Sequence, residues 1–130
     1  MANQPLRHCP LCGTAAEAIN IGLRDYAWVS EKLPGHVAPA DVDFLLERNG
    51  RFLVLEFKPL NAPLSMGQRI TLKQMVRKGF TVWMVWGDEN IEVGVMDAAG
   101  DVKFVAGPLT PDELAARVAR WFEQATRGEL

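Results

Sequence analysis

Two apolar stretches, Val42 to Leu46 and Phe52 to Phe57, flank the dipeptide Asn49-Gly50. Alternating apolar runs joined by Asn-Gly predict a tight β-hairpin, with strands over 42–48 and 51–58. The two-residue turn also fixes the register. Arg48 pairs with Arg51, and counting outward sets Leu46 against Leu53, Asp43 against Glu56 and Asp41 against Lys58. Side chains alternate along strands, so Asp41, Asp43, Leu45 and Glu47 share one face with Phe52, Val54, Glu56 and Lys58. Val42, Phe44, Leu46, Leu53, Leu55 and Phe57 take the other. Both faces are apolar in mid-hairpin, which predicts a strand pair covered on both sides.

The remaining pattern alternates helix and strand. Leu23 to Leu33 reads as a helix stopped by Pro34-Gly35, with Leu23, Trp28 and Leu33 inward. Ser65 stands three residues before Gln68, a capping box that opens a helix running to about Lys78, with Gly79 as its stop. Phe80 to Trp86 is a continuous apolar run and reads as a buried strand, parallel to the Glu56 strand through the helical crossover. Ile91 to Met96 and Val102 to Val105 predict a second hairpin about Ala98-Ala99-Gly100. Thr110-Pro111-Asp112-Glu113 opens a last helix whose apolar face is Leu114, Val118, Trp121, Phe122 and Ala125. Trp83, Trp86 and Trp121 read as core residues. The expected class is α/β, a mixed sheet flanked by helices.

One hairpin face ends in three carboxylates and an ammonium. Asp43 and Glu56 fall in a non-hydrogen-bonded pair, whose α-carbons lie roughly 4.5 Å apart, and like charges so placed destabilise a sheet. A divalent cation between them converts repulsion into ligation, and hard oxygen donors suit Mg²⁺ or Mn²⁺.

Asp43 followed by Glu56-Phe57-Lys58 at the end of the next strand resembles the Asp…Glu-x-Lys motif of the PD-(D/E)xK nuclease superfamily, with Pro39 and Asp41 echoing its leading Pro-Asp. Gly67-Gln68 opening a helix, and then a strand from Phe80, is similar to a pattern in several branches, including the Holliday-junction resolvase-like and VRR nucleases. The likeness spans about residues 39 to 87. It implies a restriction-endonuclease-like sheet and a catalytic set of Asp43, Glu56, Lys58 and Gln68. Asp43, Glu56 and the Phe57 carbonyl would hold the metal, with Asp41 as a further candidate. The capping box gives Gln68 a structural task as well. Glu17, Asp25 and Glu31 could lend another acid, although a solvated helix face explains each.

The composition, 130 residues with 48% hydrophobic and 23% charged, is that of a globular chain with one core. Without an apolar signal core or an apolar run long enough to span a bilayer, the expected location is cytoplasmic, away from membranes. The net charge of −2 argues against holding nucleic acid by bulk charge. A local stripe of Arg69, Lys73 and Arg77 on the Gln68 helix offers a phosphate track or simply a wet helix face. At the N-terminus, residues 1–16 carry Cys9-Pro-Leu-Cys12, which resembles half a zinc ribbon, and 17–130 form the α/β domain. Zinc there needs His8, His36, an acid, or the same knuckle from a second chain; otherwise the segment is an unliganded turn. A disulfide does not suit the cytosol, and a thioredoxin-like reading lacks a preceding strand.

The expected function is a Mg²⁺- or Mn²⁺-dependent nuclease acting on DNA, alone, as a homodimer or within a larger nucleic-acid-processing complex. The alternative from another class is an inactive nuclease-fold module for binding or assembly. Asp43, Glu56 and Lys58 are all present, which favours the enzyme.

Overall fold

In the computed structural model the described residues are 6–8, 15–17 and 26–130. The chain divides into two compact units, Met1–Pro39 and Ala40–Leu130.

In the first unit, β1 (Leu6–His8) pairs antiparallel with β2 (Ala15–Glu17), setting Leu6 against Glu17 and His8 against Ala15. A strand therefore does precede Cys9, contrary to expectation, but its partner is an antiparallel strand, unlike a thioredoxin motif. Cys9, Cys12 and the side chain of His8 lie outside the described residues, and so do Leu23 and Asp25. Of the helix expected over 23–33, the described residues 26–33 carry a single turn, α1 (Ala27–Ser30), followed by a 3₁₀ turn at Pro34–His36. Trp28 is 54% exposed and Leu33 38%, so neither is the inward residue that spacing suggested. A four-residue helix entered from left-handed Tyr26 has no apolar stripe to bury.

The second unit is a five-stranded mixed sheet in sequential order, β3 (Phe44–Arg48), β4 (Arg51–Lys58), β5 (Thr81–Trp86), β6 (Ile91–Met96) and β7 (Val102–Leu109). β4 and β5 are parallel, joined by the crossover helix α2 (Met66–Arg77), and every other neighbouring pair is antiparallel. α3 (Pro111–Thr126) closes the chain. Asn49 and Gly50 have φ of 55° and 76°, as the two-residue turn of this hairpin requires. The register is the expected one, from Arg48 opposite Arg51 to Phe44 opposite Leu55. β3 nevertheless starts at Phe44 rather than Val42, and Val42 is 44% exposed. β7 runs four residues beyond Val105 through Gly107-Pro108; an edge strand accepts proline because one side of its backbone has no partner.

The sheet's two faces carry separate cores. Leu53, Leu55, Val85, Ile91 and Val93 pack with Leu114, Trp121 and Ala125 of α3. Val54, Val82, Met84 and Met96 pack with Leu72 of α2. Alternation along β4 sends 53 and 55 one way and 54 and 56 the other, which is how Glu56 comes to lie on the α2 face. Edge strand β3 is covered less fully, and Leu45 is 54% exposed. Both long helices begin with the expected capping boxes, Ser65/Gln68 and Thr110/Glu113. No helix among the described residues is long and apolar enough to cross a membrane.

Candidate active site

The hairpin register carries Asp43 to the position opposite Glu56, where the chain leaves the sheet. In an antiparallel pair counted from this turn, Phe57 would exchange hydrogen bonds with Val42. The strand has ended by then, and the Phe57 N–H donates instead to Asp43 Oδ2 at 3.0 Å. The early end of β3 thus gives Asp43 a main-chain anchor. An extended residue presents its N–H and C=O to the same neighbour, so the Phe57 carbonyl opens onto the edge that Asp43 occupies.

Glu56 is 6% exposed and is the one buried charged residue among those described. Its pKa is raised from 4.5 to about 7, first by burial and then by the charge of Asp43; Lys58 pulls it down, while a hydrogen bond with Asp43 and the charge of Asp41 push it up. Glu56 therefore keeps its proton to a higher pH than a free glutamate does. A carboxyl kept from ionising by burial and by a facing carboxylate is one that a cation would bind by displacing its proton.

Gln68 joins the rest of the site. As the third residue of α2 its side chain turns back to Ser65, accepting from Ser65 Oγ at 3.2 Å and lying 3.4 Å from the Ser65 N–H. The same Oε1 accepts from Lys58 Nζ at 2.6 Å, and Nε2 donates to Glu56 Oε1 at 3.2 Å. Lys58 and Glu56, two residues apart on one face of β4, are held to one amide. A small cavity beside them is lined by Asp41, Val42, Glu56, Gln68 and Thr71.

The donor set suits a hard divalent cation: two facing carboxylates, one main-chain carbonyl, and no soft ligand. Among the described residues no three of His, Cys, Asp and Glu converge as a metal group. The charge of Asp41 acts on Glu56 as well, and water would supply the remaining ligands, as Mg²⁺ prefers.

The basic stripe makes contacts of its own along the β6–β7 turn. Arg69 donates to the Gly100 carbonyl and lies 3.8 Å from Asp101, and Arg77 donates to the Ala98 carbonyl at 3.0 Å. Lys73 packs against Gly100, where an added Cβ would come 3.1 Å from its Cδ. The stripe thus clasps the β6–β7 turn. His36, the other histidine considered for zinc, has a left-handed φ of 53°, and its carbonyl accepts from Ser30 Oγ.

Sequence reasoning missed two features: the Asp43 anchor on Phe57 and the Ser65 hydroxyl's part in the Gln68 network. The capping box signalled the second, because it turns the Gln68 side chain back toward the end of β4. Compared with protein-family models, curated proteins and solved structures, the chain matches none.

Proposed function

We propose that Asp43, Glu56, Lys58 and Gln68 form the centre of a metal-dependent nuclease acting on DNA. The observation that carries this reading is the buried Glu56 carboxyl, raised to a pKa of about 7 opposite Asp43 and tied through Gln68 to the Lys58 ammonium. A buried acid so perturbed, beside a positioned cation, is unusual outside functional sites. The crossover from β4 through α2 to parallel β5 agrees with the arrangement that the PD-(D/E)xK resemblance implies.

Asp43, Glu56 and the Phe57 carbonyl would hold Mg²⁺ or Mn²⁺. When bound, the ion supplies a water of lowered pKa and neutralises charge on the phosphate. The chain's own groups do the positioning. Phe57 N–H fixes Asp43, and Gln68 fixes Glu56 and Lys58 together. Lys58 donates to the attacking water or to the phosphate oxygens on which charge develops. Arg69 and Arg77 each give one of five guanidinium donors to the turn and could offer others to phosphate, as Lys73 could with its ammonium.

The test is incubation with supercoiled plasmid, branched DNA and single-stranded RNA in Mg²⁺, Mn²⁺ or EDTA, beside Glu56→Gln. Metal-dependent cleavage of DNA that disappears in the mutant is expected. A folded wild type that binds DNA but cleaves nothing with either metal would be the inactive binding module instead.

A further inference from the structure

A groove of about 510 Å³ opens where β4 and β5 end side by side, lined by Phe57, Lys58, Pro59, Leu60, Gly87 and Asp88. Its size falls within the range of small-ligand sites, and the carboxyl ends of parallel strands are where α/β sheets bind ligands. Phe57 follows the buried Glu56 yet is 44% exposed, and Leu60 is 45% exposed. Successive residues point to opposite faces, so the Phe57 ring stands across β4 from the carboxylate pair while its N–H anchors Asp43.

The groove is built rather than incidental. Gly87 N–H donates to the Lys58 carbonyl at 2.9 Å and ties the two strand ends together. Gly87 has φ +89°, and a Cβ there would lie 3.0 Å from the Asn90 carbonyl and 3.1 Å from Leu60 Cγ. Leu60 therefore rests on the bare backbone of Gly87 and lines the same groove as Phe57. At one border runs the stem of Lys58, whose ammonium reaches Gln68 on the Glu56 side; at another stands the Asp88 carboxylate.

We propose that this groove takes one unpaired nucleobase, stacked on Phe57, from the strand whose phosphate meets Lys58, so that the substrate is single-stranded or splayed DNA. The chemistry matches in three places. The flat face of a base lies on Phe57 against Leu60 and Pro59, Asp88 accepts from a ring N–H or exocyclic amine, and the phosphate goes to the ammonium. A base inside a duplex is stacked on both sides and must be turned out to enter. The phosphate part rests on the nuclease reading above, whereas the base-binding part does not.

The experiment measures fluorescence anisotropy of a labelled single-stranded DNA oligonucleotide, and of the blunt duplex of the same sequence, in EDTA so that nothing is cut. Wild type should prefer the single strand. Stacking of one base on an aromatic side chain corresponds to a loss of about 5- to 150-fold in affinity for Phe57→Ala, with duplex binding little changed. Phe57→Trp should keep the affinity, and thermal melts confirm that both variants fold. One abasic nucleotide at the preferred position should weaken wild type but not Phe57→Ala. A wild type without affinity for the strand, or a Phe57→Ala protein that binds like wild type or loses duplex and strand alike, would overturn the proposal. Cleavage in Mn²⁺ separates the two readings. Loss of cleavage in Glu56→Gln with strand binding indifferent to Phe57 keeps the nuclease and removes the groove. Phe57-dependent strand binding with no cleavage in any metal does the reverse.

Discussion

α2 and α3 begin with the same device, yet the two boxes are put to different use. In α3, Glu113 Oε1 accepts from the Thr110 N–H at 3.1 Å and Thr110 Oγ1 accepts from the Glu113 N–H at 3.2 Å, so both side chains serve to cap the helix. In α2 the corresponding bond to the Ser65 N–H is longer, 3.4 Å, because Gln68 Oε1 is drawn to Lys58 at 2.6 Å. The sheet faces below differ in the same sense. Under α3 the buried side chains are apolar; under α2 a buried acid sits at the end of β4. One side of the sheet is made to hold the fold, and the other gives up some of that to hold a charged group.

The comparison is tested most severely at Trp121, 4% exposed in the α3 core. Trp121→Ala should cost about 3–5 kcal/mol by chemical denaturation. Below its melting temperature it should keep the proposed metal-dependent cleavage at the wild-type level, because it touches only the supporting face. If activity falls while the protein remains folded, the two faces are not separable.

Next in size is the pH response of Glu56. With a folded pKa of about 7 against 4.5, the folded state keeps a proton that the unfolded chain has released. Metal-free stability should therefore fall as pH rises through that window, by up to about 3 kcal/mol at 1.36 kcal/mol per unit. Denaturation in EDTA at pH 4.5 and 8 should show the fall in wild type and a much flatter response in Glu56→Gln, which should be the more stable protein at pH 8. Parallel slopes would mean that Glu56 ionises normally in the fold.

The caps come third. Thr110→Ala should lose about 1 kcal/mol and no activity. Gln68→Ala should lose a similar amount or less but most of the cleavage, since Lys58 and Glu56 lose their common partner. Equal activity in the two mutants would reduce Gln68 to a cap.

The smallest effect is at Asp43. Asp43→Asn keeps an acceptor for Phe57 N–H and removes a like charge, so in EDTA near neutral pH it should be more stable by about 0.2–1 kcal/mol. Mn²⁺ should raise the melting temperature of wild type and do so much less for the mutant. A full metal-induced shift in Asp43→Asn would remove it from the ligand set.

These contrasts also mark what could be read from the sequence. The hairpin, its register and both long helices were legible because Asn49-Gly50, Ser65/Gln68 and Thr110/Glu113 act locally, through dihedrals and bonds within a few residues. The meeting of Asp43 with Glu56 followed from counting along that register. What was not legible depends on tertiary partners. Nothing near Arg69 or Arg77 indicates that their donors go to carbonyls of a turn more than twenty residues away. The Leu23–Leu33 spacing resembled an amphipathic helix, but its described part, from Tyr26 on, holds one helical turn with Trp28 and Leu33 exposed. Pro108 hid the second half of β7, since a proline in a strand is permitted only by an edge position that the sequence does not announce.

The hairpin turn gives the site a weak point far from its chemistry. Asn49 Nδ2 donates to the Ala125 carbonyl and Arg48 Nε to Thr126 Oγ1, so the turn is fastened to the end of α3, at the opposite end of the hairpin from Asp43 and Glu56. Replacing a turn residue would cost stability and leave the pairing intact. One residue gained or lost there would advance one strand against the other and turn Asp43 to the wrong face. On the proposed nuclease reading, loop length is therefore a heritable off-switch. A descendant could carry Asp43, Glu56 and Lys58 unchanged and be inert, and among variants of this chain the spacing from Asp43 to Glu56 should predict activity better than the presence of the residues themselves.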